Sequence, residues 1–340
     1  MLPFLVNADD LEEWATRLEA RGSLPDLVRR LILASTTNLR RLEMRTGRGI
    51  GFSGYDGIVN ADQGNAFVPD GFSVWEMGVN QDPKAKAEKD YTTRTSDPLG
   101  INPAEAVFVF VTPRRWSEKD RWAEQKRQNG PWRDVQVIDA DNLETWFEIS
   151  PAVHIWFTSL LGNNPTDLRD MSLFWQDWCA ATQPTFSQDL IIAHRTDGVT
   201  RIIQYLNTPP EVALTIRADS SEEALAFIAA TMAQASEEEP ETLFARTLLV
   251  ASEQGWQRII VADQPLILIP SFPNPHVAEA LRRGHHVIIP CGPEIAEASS
   301  MVVLPRPGRQ AIETALEGMD IGRDRVSSLA WIGRRSLLSL

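Results

Sequence analysis

Four short runs constrain this chain most: AVFVFVTP at 106–113, FARTLLVAS at 244–252, PLILIPSF at 265–272 and HHVIIPCG at 285–292. Each is almost continuously apolar and stops at proline, glycine or serine. Runs of this kind are strands covered on both faces, which is the situation of parallel sheets flanked by helices. Helical segments separate them. SEKDRWAEQKRQNG (117–130) has Ser117 as its cap and Gly130 as its stop, and PHVAEALRRGH (275–285) lies between two of the runs. The class is therefore α/β.

The chain has 340 residues, enough for two domains. LGNNPTDLRD (161–170) supplies glycine, proline and asparagines after a dense aromatic segment. The expected division is a first domain over 1–160, a linker and bridging helix over 161–186, and a second α/β domain over 187–340. The final residues, LAWIGRRSLLSL, form an apolar amphipathic segment without cap or polar tail. That pattern predicts further C-terminal domains in the full-length protein.

Bulk properties exclude several classes. No apolar run approaches the roughly 20 residues a membrane helix needs. The opening MLPFLVNADDLEEW has no basic region and turns acidic at once, unlike a secretory signal. Two distant cysteines, Cys179 and Cys291, fit a reducing cytoplasm and neither a disulfide scaffold nor a zinc finger. The net charge of −13 argues against a surface that binds nucleic acid all over. Basic residues nonetheless crowd residues 84–133, so a local basic face is expected.

The first domain opens with helical segments. Asn7 or Asp9 caps one that places Leu11, Trp14 and Leu18 on a face and stops at Gly22. Ser23, with Pro25 behind it, caps a second, and TTNLRRLEMRTG (36–47) reads as a third. A β-meander follows. GYDGIV (54–59) and GFSVWEMGV (71–79) are separated by the turn residues ADQGN and PDG. Within it stand Asp56 and Glu76. Asp56 beside Gly57 can be a turn residue, and Glu76 a solvent-facing strand residue. Yet half-buried strands rarely carry unpaired carboxylates, because stripping their water is costly. Two carboxylates at one sheet edge could share Mg²⁺ or Mn²⁺, which takes few protein ligands and keeps room for a phosphate. In KAKAEKDY, Lys86 and Asp90 share a helical face. An ammonium there would stabilise charge developing on a scissile phosphate.

These residues resemble the PD-(D/E)XK nuclease superfamily, the restriction-endonuclease-like fold. There a helix precedes a meander, an Asp lies on one strand, an Asp or Glu on the next, and a Lys usually follows two positions later. The resemblance covers about residues 25–155 and implies an αβββαβ domain that hydrolyses phosphodiester bonds of nucleic acid, DNA ahead of RNA. Asp56 and Glu76 match the metal-binding carboxylates. The position two after Glu76 is Gly78, so the resemblance implies a lysine migrated to the next helix, Lys86 first and Lys84 second. Glu43 matches the acidic residue that completes the metal site. Arg114 and Arg115, leaving the AVFVFVTP strand, are expected to hold substrate phosphates. Trp75, Trp116, Trp122, Trp132, Trp146 and Trp156 fall in or beside apolar runs and are expected in the core.

In the second domain, VALTIRADSSEEALAF (212–227) is a strand, loop and helix similar to a P-loop NTPase. Its loop lacks the Gly-x-x-x-x-Gly-Lys-Ser/Thr signature, and Glu222 and Glu223 would repel phosphate. The resemblance is to a degenerate P-loop domain of the STAND type. His285 and His286, adjacent on a strand, face opposite ways and are expected in the core or at an edge. A nuclease joined to such a module resembles bacterial antiphage defence effectors, in which the appended part senses or oligomerises, so a homo-oligomer is compatible with it. Two other functions are open at this point: a nuclease fold that has lost activity and only binds or regulates, or a nucleotide-sensing switch.

Overall fold

The computed structural model describes residues 5–45, 54–235, 241–296, 301–319, 321–334 and 336–337. It is mixed α/β and divides into two compact units, 1–163 and 164–340.

The first unit begins with α1 (Ala8–Trp14), whose N-cap Asn7 accepts from the backbone N–H of Asp9 and Asp10. The helix ends at Trp14, and Leu18, expected on its apolar face, is 97% exposed. α2 (Ala20–Ser35) runs unbroken through Gly22, Ser23 and Pro25, so no second start occurs at Ser23. A five-stranded sheet follows in the order β1 (Leu39–Met44), β2 (Gly57–Ala61), β3 (Gly71–Met77), β4 (Val107–Val111), β5 (Asp134–Ile138). β2 is antiparallel to both β1 and β3, while β3, β4 and β5 run parallel. α3 (Pro83–Ser96) connects β3 to β4, and α4 (Lys119–Asn129) connects β4 to β5. α5 (Ala140–Glu148), capped by Asp139, and α6 (Pro151–Leu160) close the unit.

The segment predicted as a third helix is strand β1. Its leucines misled through a bulge. The pairing sets Leu39 opposite Ala61, Leu42 opposite Val59 and Met44 opposite Gly57, with the register shifting between Leu39 and Arg41. The extra residue lets Leu39 and Leu42, three apart, share one face of a strand, which imitates a helical period.

All five residues of β4 are buried, as the apolar run required. Val74, Phe108 and Phe110 pack against Ala87 and Tyr91 of α3 and Trp122 and Ala123 of α4. The six tryptophans expected in the core are all buried.

The second unit is built on a six-stranded sheet ordered β11-β7-β10-β9-β8-β6, comprising β6 (Leu168–Asp170), β7 (Leu214–Arg217), β8 (Thr247–Val250), β9 (Ile267–Pro270), β10 (His286–Cys291) and β11 (Met301–Val303). The strands are parallel except β6, which is antiparallel to β8. Residues 161–186 are largely part of this unit. Beyond the edge strand β6, Asp170 caps α7 (Met171–Ala180), whose Met171, Phe174 and Cys179 belong to the same core as Ile216, Ile269 and Phe227. α8 (Gln188–Ile192) and α9 (Thr196–Leu206) precede β7, and α10 (Ser221–Gln234), capped by Ser220, follows it. α14 (Arg309–Glu317) and α15 (Arg323–Gly333) end the described chain. No helix among the described residues is long and apolar enough to cross a membrane.

Candidate active site

Asp56 stands immediately before β2. The antiparallel register pairs Gly57 with Trp75 and Ile58 with Val74, so its next step sets Asp56 opposite Glu76. Directly opposed residues share a face, with Cβ atoms about 4.5–5.5 Å apart. Asp56 Oδ2 accepts the Met77 backbone N–H at 2.8 Å, which fixes its carboxylate beside β3. It is thus more than a turn residue. Nor does Glu76 face solvent: it is 3% exposed.

Helix α3 supplies the cations. Asp82 caps it by accepting from Ala85 N–H, with Pro83 in its first turn. Lys86, Asp90 and Arg94 recur every four residues and so form one stripe. Lys86 Nζ pairs with Asp90, while Arg94 Nε donates to Glu76 Oε1 and Arg94 Nη2 to the Gly54 carbonyl. The Arg94 guanidinium also lies 4.9 Å from the Tyr55 ring centroid. Gly54, at φ +135°, takes a conformation that suits glycine, and a side chain there would strike the Arg45 guanidinium.

Gly78 lies beside Lys86. It continues β3 by donating to Val111 O at 3.0 Å, so a side chain there would point to the same side as Glu76. A Cβ added at Gly78 would lie 2.7 Å from Lys86 Cγ. The aliphatic stem of Lys86 therefore fills the space a lysine at 78 would occupy. Lys84 instead reaches Glu118 at 3.3 Å on the exposed side of the helix.

A cavity of about 640 Å³ opens here, lined by Asp56, Gly78, Asn80, Lys86, Lys89 and Arg21, among others. Glu76 is next to this lining, between Asp56 across the strands and Met77 along its own. Arg21 and Lys89 have no acidic partner among the described residues.

Burial, reinforced by the charge on Asp56, pushes the Glu76 carboxyl up to about 8, against the pull of Arg94. Burial likewise raises Asp90, against Lys86. Since an unfolded glutamate titrates near 4.3, folding takes up a proton at Glu76 between about pH 4.3 and pH 8. Stability is then lost as pH rises through that window and levels off above it. The expected slope is at most about 1.4 kcal/mol per pH unit. Chemical denaturation at pH 5, 6.5 and 8 should show this component in the wild type and not in Glu76→Gln.

Other expected site residues lie elsewhere. Glu43 is on edge strand β1, largely exposed and paired with Arg41 at 2.8 Å, outside the cavity lining. That pairing lowers its pKa. Arg114 donates to the backbone carbonyls of Glu12 at 3.0 Å and Val79 at 3.3 Å, holding the β4–α4 turn against α1 rather than presenting itself to a phosphate. Arg115 is surrounded by Asp9, Glu12 and Asp141, and the first of these chiefly raises its pKa. Arg94, Arg21 and Lys89 were not singled out from sequence, although the spacing of Arg94 from Asp90 and Lys86 was a usable signal.

Among the described residues, no three His, Cys, Asp or Glu side chains converge as a metal cage. A divalent cation such as Mg²⁺ needs only one or two carboxylates. Asp56 Oδ1 and Glu76 Oε2 carry no hydrogen bond among the described residues, so the donor set fits such an ion at this pair. Three of the histidines are otherwise engaged. His285 accepts from Leu266 N–H and bonds Ile260 O, His286 bonds Thr208 O, and His154 bonds Val6 O.

None of the protein-family models, characterised proteins or solved structures compared with the chain matches it.

Proposed function

We propose that the first unit is a divalent-cation-dependent nuclease of the PD-(D/E)XK kind that hydrolyses phosphodiester bonds in nucleic acid, DNA ahead of RNA. The observation that carries this reading is the cross-strand opposition of Asp56 and Glu76, with the Lys86 stem lying over Gly78. The helix, antiparallel meander, helix and parallel strand stand in the order the superfamily resemblance implies, which supports it further.

Asp56 and Glu76 would hold Mg²⁺ or Mn²⁺, which when bound neutralises phosphate charge and lowers the pKa of a coordinated water. Asp56 is oriented for this by Met77 N–H. Lys86, on leaving Asp90, brings its ammonium toward the scissile phosphate and stabilises charge gathering on its oxygens. Lys89 and Arg21, both in the cavity lining, hold neighbouring phosphates of the strand. With Lys86 they give the cleft a local basic lining on a chain of net charge −13.

Incubating linear and plasmid DNA, and RNA, with the protein and Mg²⁺ or Mn²⁺ tests the proposal. Lys86→Met should lower cleavage by about 10²- to 10³-fold. Lys84→Met should leave it within about twofold, since loss of an exposed pair disturbs little. Equal loss in both variants, or wild-type protein without metal-dependent cleavage, would remove the assignment.

The second unit supports a degenerate P-loop-like reading. β7 lies between β10 and β11 and passes directly into α10, the strand–helix junction at which parallel sheets bind phosphates. Its loop keeps neither glycines nor lysine. The architecture thus resembles a defence effector with a nuclease and an appended regulatory module, a role that rests on resemblance alone.

A further inference from the structure

Resting on the metal-binding reading of Asp56 and Glu76, the geometry points to Arg94 as a resident counter-cation that guards this pair, with Asp90 as the acceptor that receives it when a divalent cation binds.

Two opposed carboxylates, one of them buried, repel each other, and a positive partner beside them favours the ionised form that a cation needs. Arg94 is the ion-pair partner of Glu76, and both side chains are largely buried, at 16% and 4% exposure. The guanidinium does more than neutralise. Its Nε holds Glu76 on β3, and its Nη2 holds the Gly54 carbonyl, two residues before Asp56. Tyr55, between them, lies against its face. A single planar group thereby ties the two carboxylate-bearing segments together from outside the strands. A cation arriving at Asp56 and Glu76 meets this charge already in place, and like charges at such range repel strongly.

Asp90 gives the displaced guanidinium a destination. It lies one helical turn before Arg94, within i,i+4 reach, and one turn after Lys86, its present partner. Once Lys86 turns to a substrate phosphate, Asp90 becomes an unpaired, partly buried carboxylate facing Arg94. The stripe Lys86–Asp90–Arg94 then acts as an exchange of partners: Lys86 from Asp90 to phosphate, Arg94 from Glu76 to Asp90. Arg94 and Asp90 are positioning residues in this scheme, acting through Glu76 and Lys86. The exchange links site loading to substrate engagement without any change of fold.

Mn²⁺ binding, followed by the electron paramagnetic resonance signal of free Mn²⁺, tests this without reference to cleavage. Arg94→Gln should tighten Mn²⁺ binding about tenfold or more. Arg94→Lys, which retains the charge, should stay within about threefold of wild type. With inorganic phosphate present to engage Lys86, Asp90→Asn should weaken Mn²⁺ binding several-fold in the wild-type background and lose most of that effect in Arg94→Gln. Circular dichroism of each variant checks folding, and Arg94→Lys carries the test if Arg94→Gln does not fold. In that case binding tightened tenfold despite the retained charge would overturn the scheme. Wild-type binding that Arg94→Gln leaves unchanged or weakens would overturn the guard while sparing the metal site. So would an Asp90→Asn effect of equal size in both backgrounds. Absence of Mn²⁺ binding in wild type and Arg94→Gln alike, with both folded, would overturn the metal site and the guard together.

Discussion

Replacing Asp56 with asparagine or Glu76 with glutamine should lower metal-dependent cleavage by about 10³-fold or more, with little change in fold. The expectation follows from what each carboxylate does. Both would face one cation, and loss of either charge removes half of the protein's ligand set. The amide replacements are chosen for what they keep. In Asp56→Asn the side-chain carbonyl would still accept the Met77 N–H, and in Glu76→Gln it would still accept from Arg94. The hydrogen bonds joining β2, β3 and α3 therefore survive. Glu76→Ala is a poorer test. It would remove the acceptor of the Arg94 Nε–H and leave a gap beside a buried strand position. Activity lost there could reflect unfolding. Cleavage rates measured beside far-ultraviolet circular dichroism separate the two. Either amide variant retaining more than about a tenth of wild-type activity would show that cleavage does not depend on this pair.

The sequence carried the strand framework because burial writes itself as uninterrupted apolar runs. Val107–Val111 could belong to little else, and α4 closes at the expected Gly130. Asp56 and Glu76 were legible because charge is conspicuous in half-buried strands. Their cross-strand opposition was not, since register depends on pairing rather than composition. β1 was hidden by its bulge, which turned a strand's alternation into a spacing of three. The arginines were harder still. Arg94, Arg114 and Arg115 all stand in a basic stretch, yet Arg94 enters the site while Arg114 binds backbone carbonyls and Arg115 is surrounded by carboxylates. A long flexible side chain reaches partners far along the chain, and local spacing says little about which ones. Gly78 shows the reverse case. It departs from the expected motif, and the room beside it is filled by a side chain eight residues on.

The largest effect on stability is expected from the second unit, where Arg195 and Glu223 form an ion pair at about 2% exposure or less. Arg195 also donates to Pro305 O at 2.9 Å and to Ile191 O at 3.2 Å. It thereby ties α8 and the chain beyond β11 to the first turn of α10. Glu223 Oε2 has no hydrogen-bond partner among the described residues. Truncating one member leaves the other charged, dry and alone. Arg195→Met or Glu223→Leu should each cost about 3–5 kcal/mol, whereas the double variant should recover most of that loss. Denaturation midpoints of the four proteins check the cycle. A double variant as unstable as the sum of the singles would show that the arginine's carbonyl contacts, not the pair, carry the stability. The same pair bears on nucleotide sensing. Glu223 lies in the first turn after β7, where a phosphate-binding loop would present backbone N–H groups, and here one of those N–H groups is held by the Ser220 hydroxyl. The buried guanidinium at that point is held by Glu223 and not by a phosphate, and the loop lacks the glycines and lysine of a nucleotide site. Adding ATP or GTP with Mg²⁺ should therefore leave the melting temperature of this unit unchanged, and a nucleotide-dependent rise would restore the sensing role that this ion pair argues against.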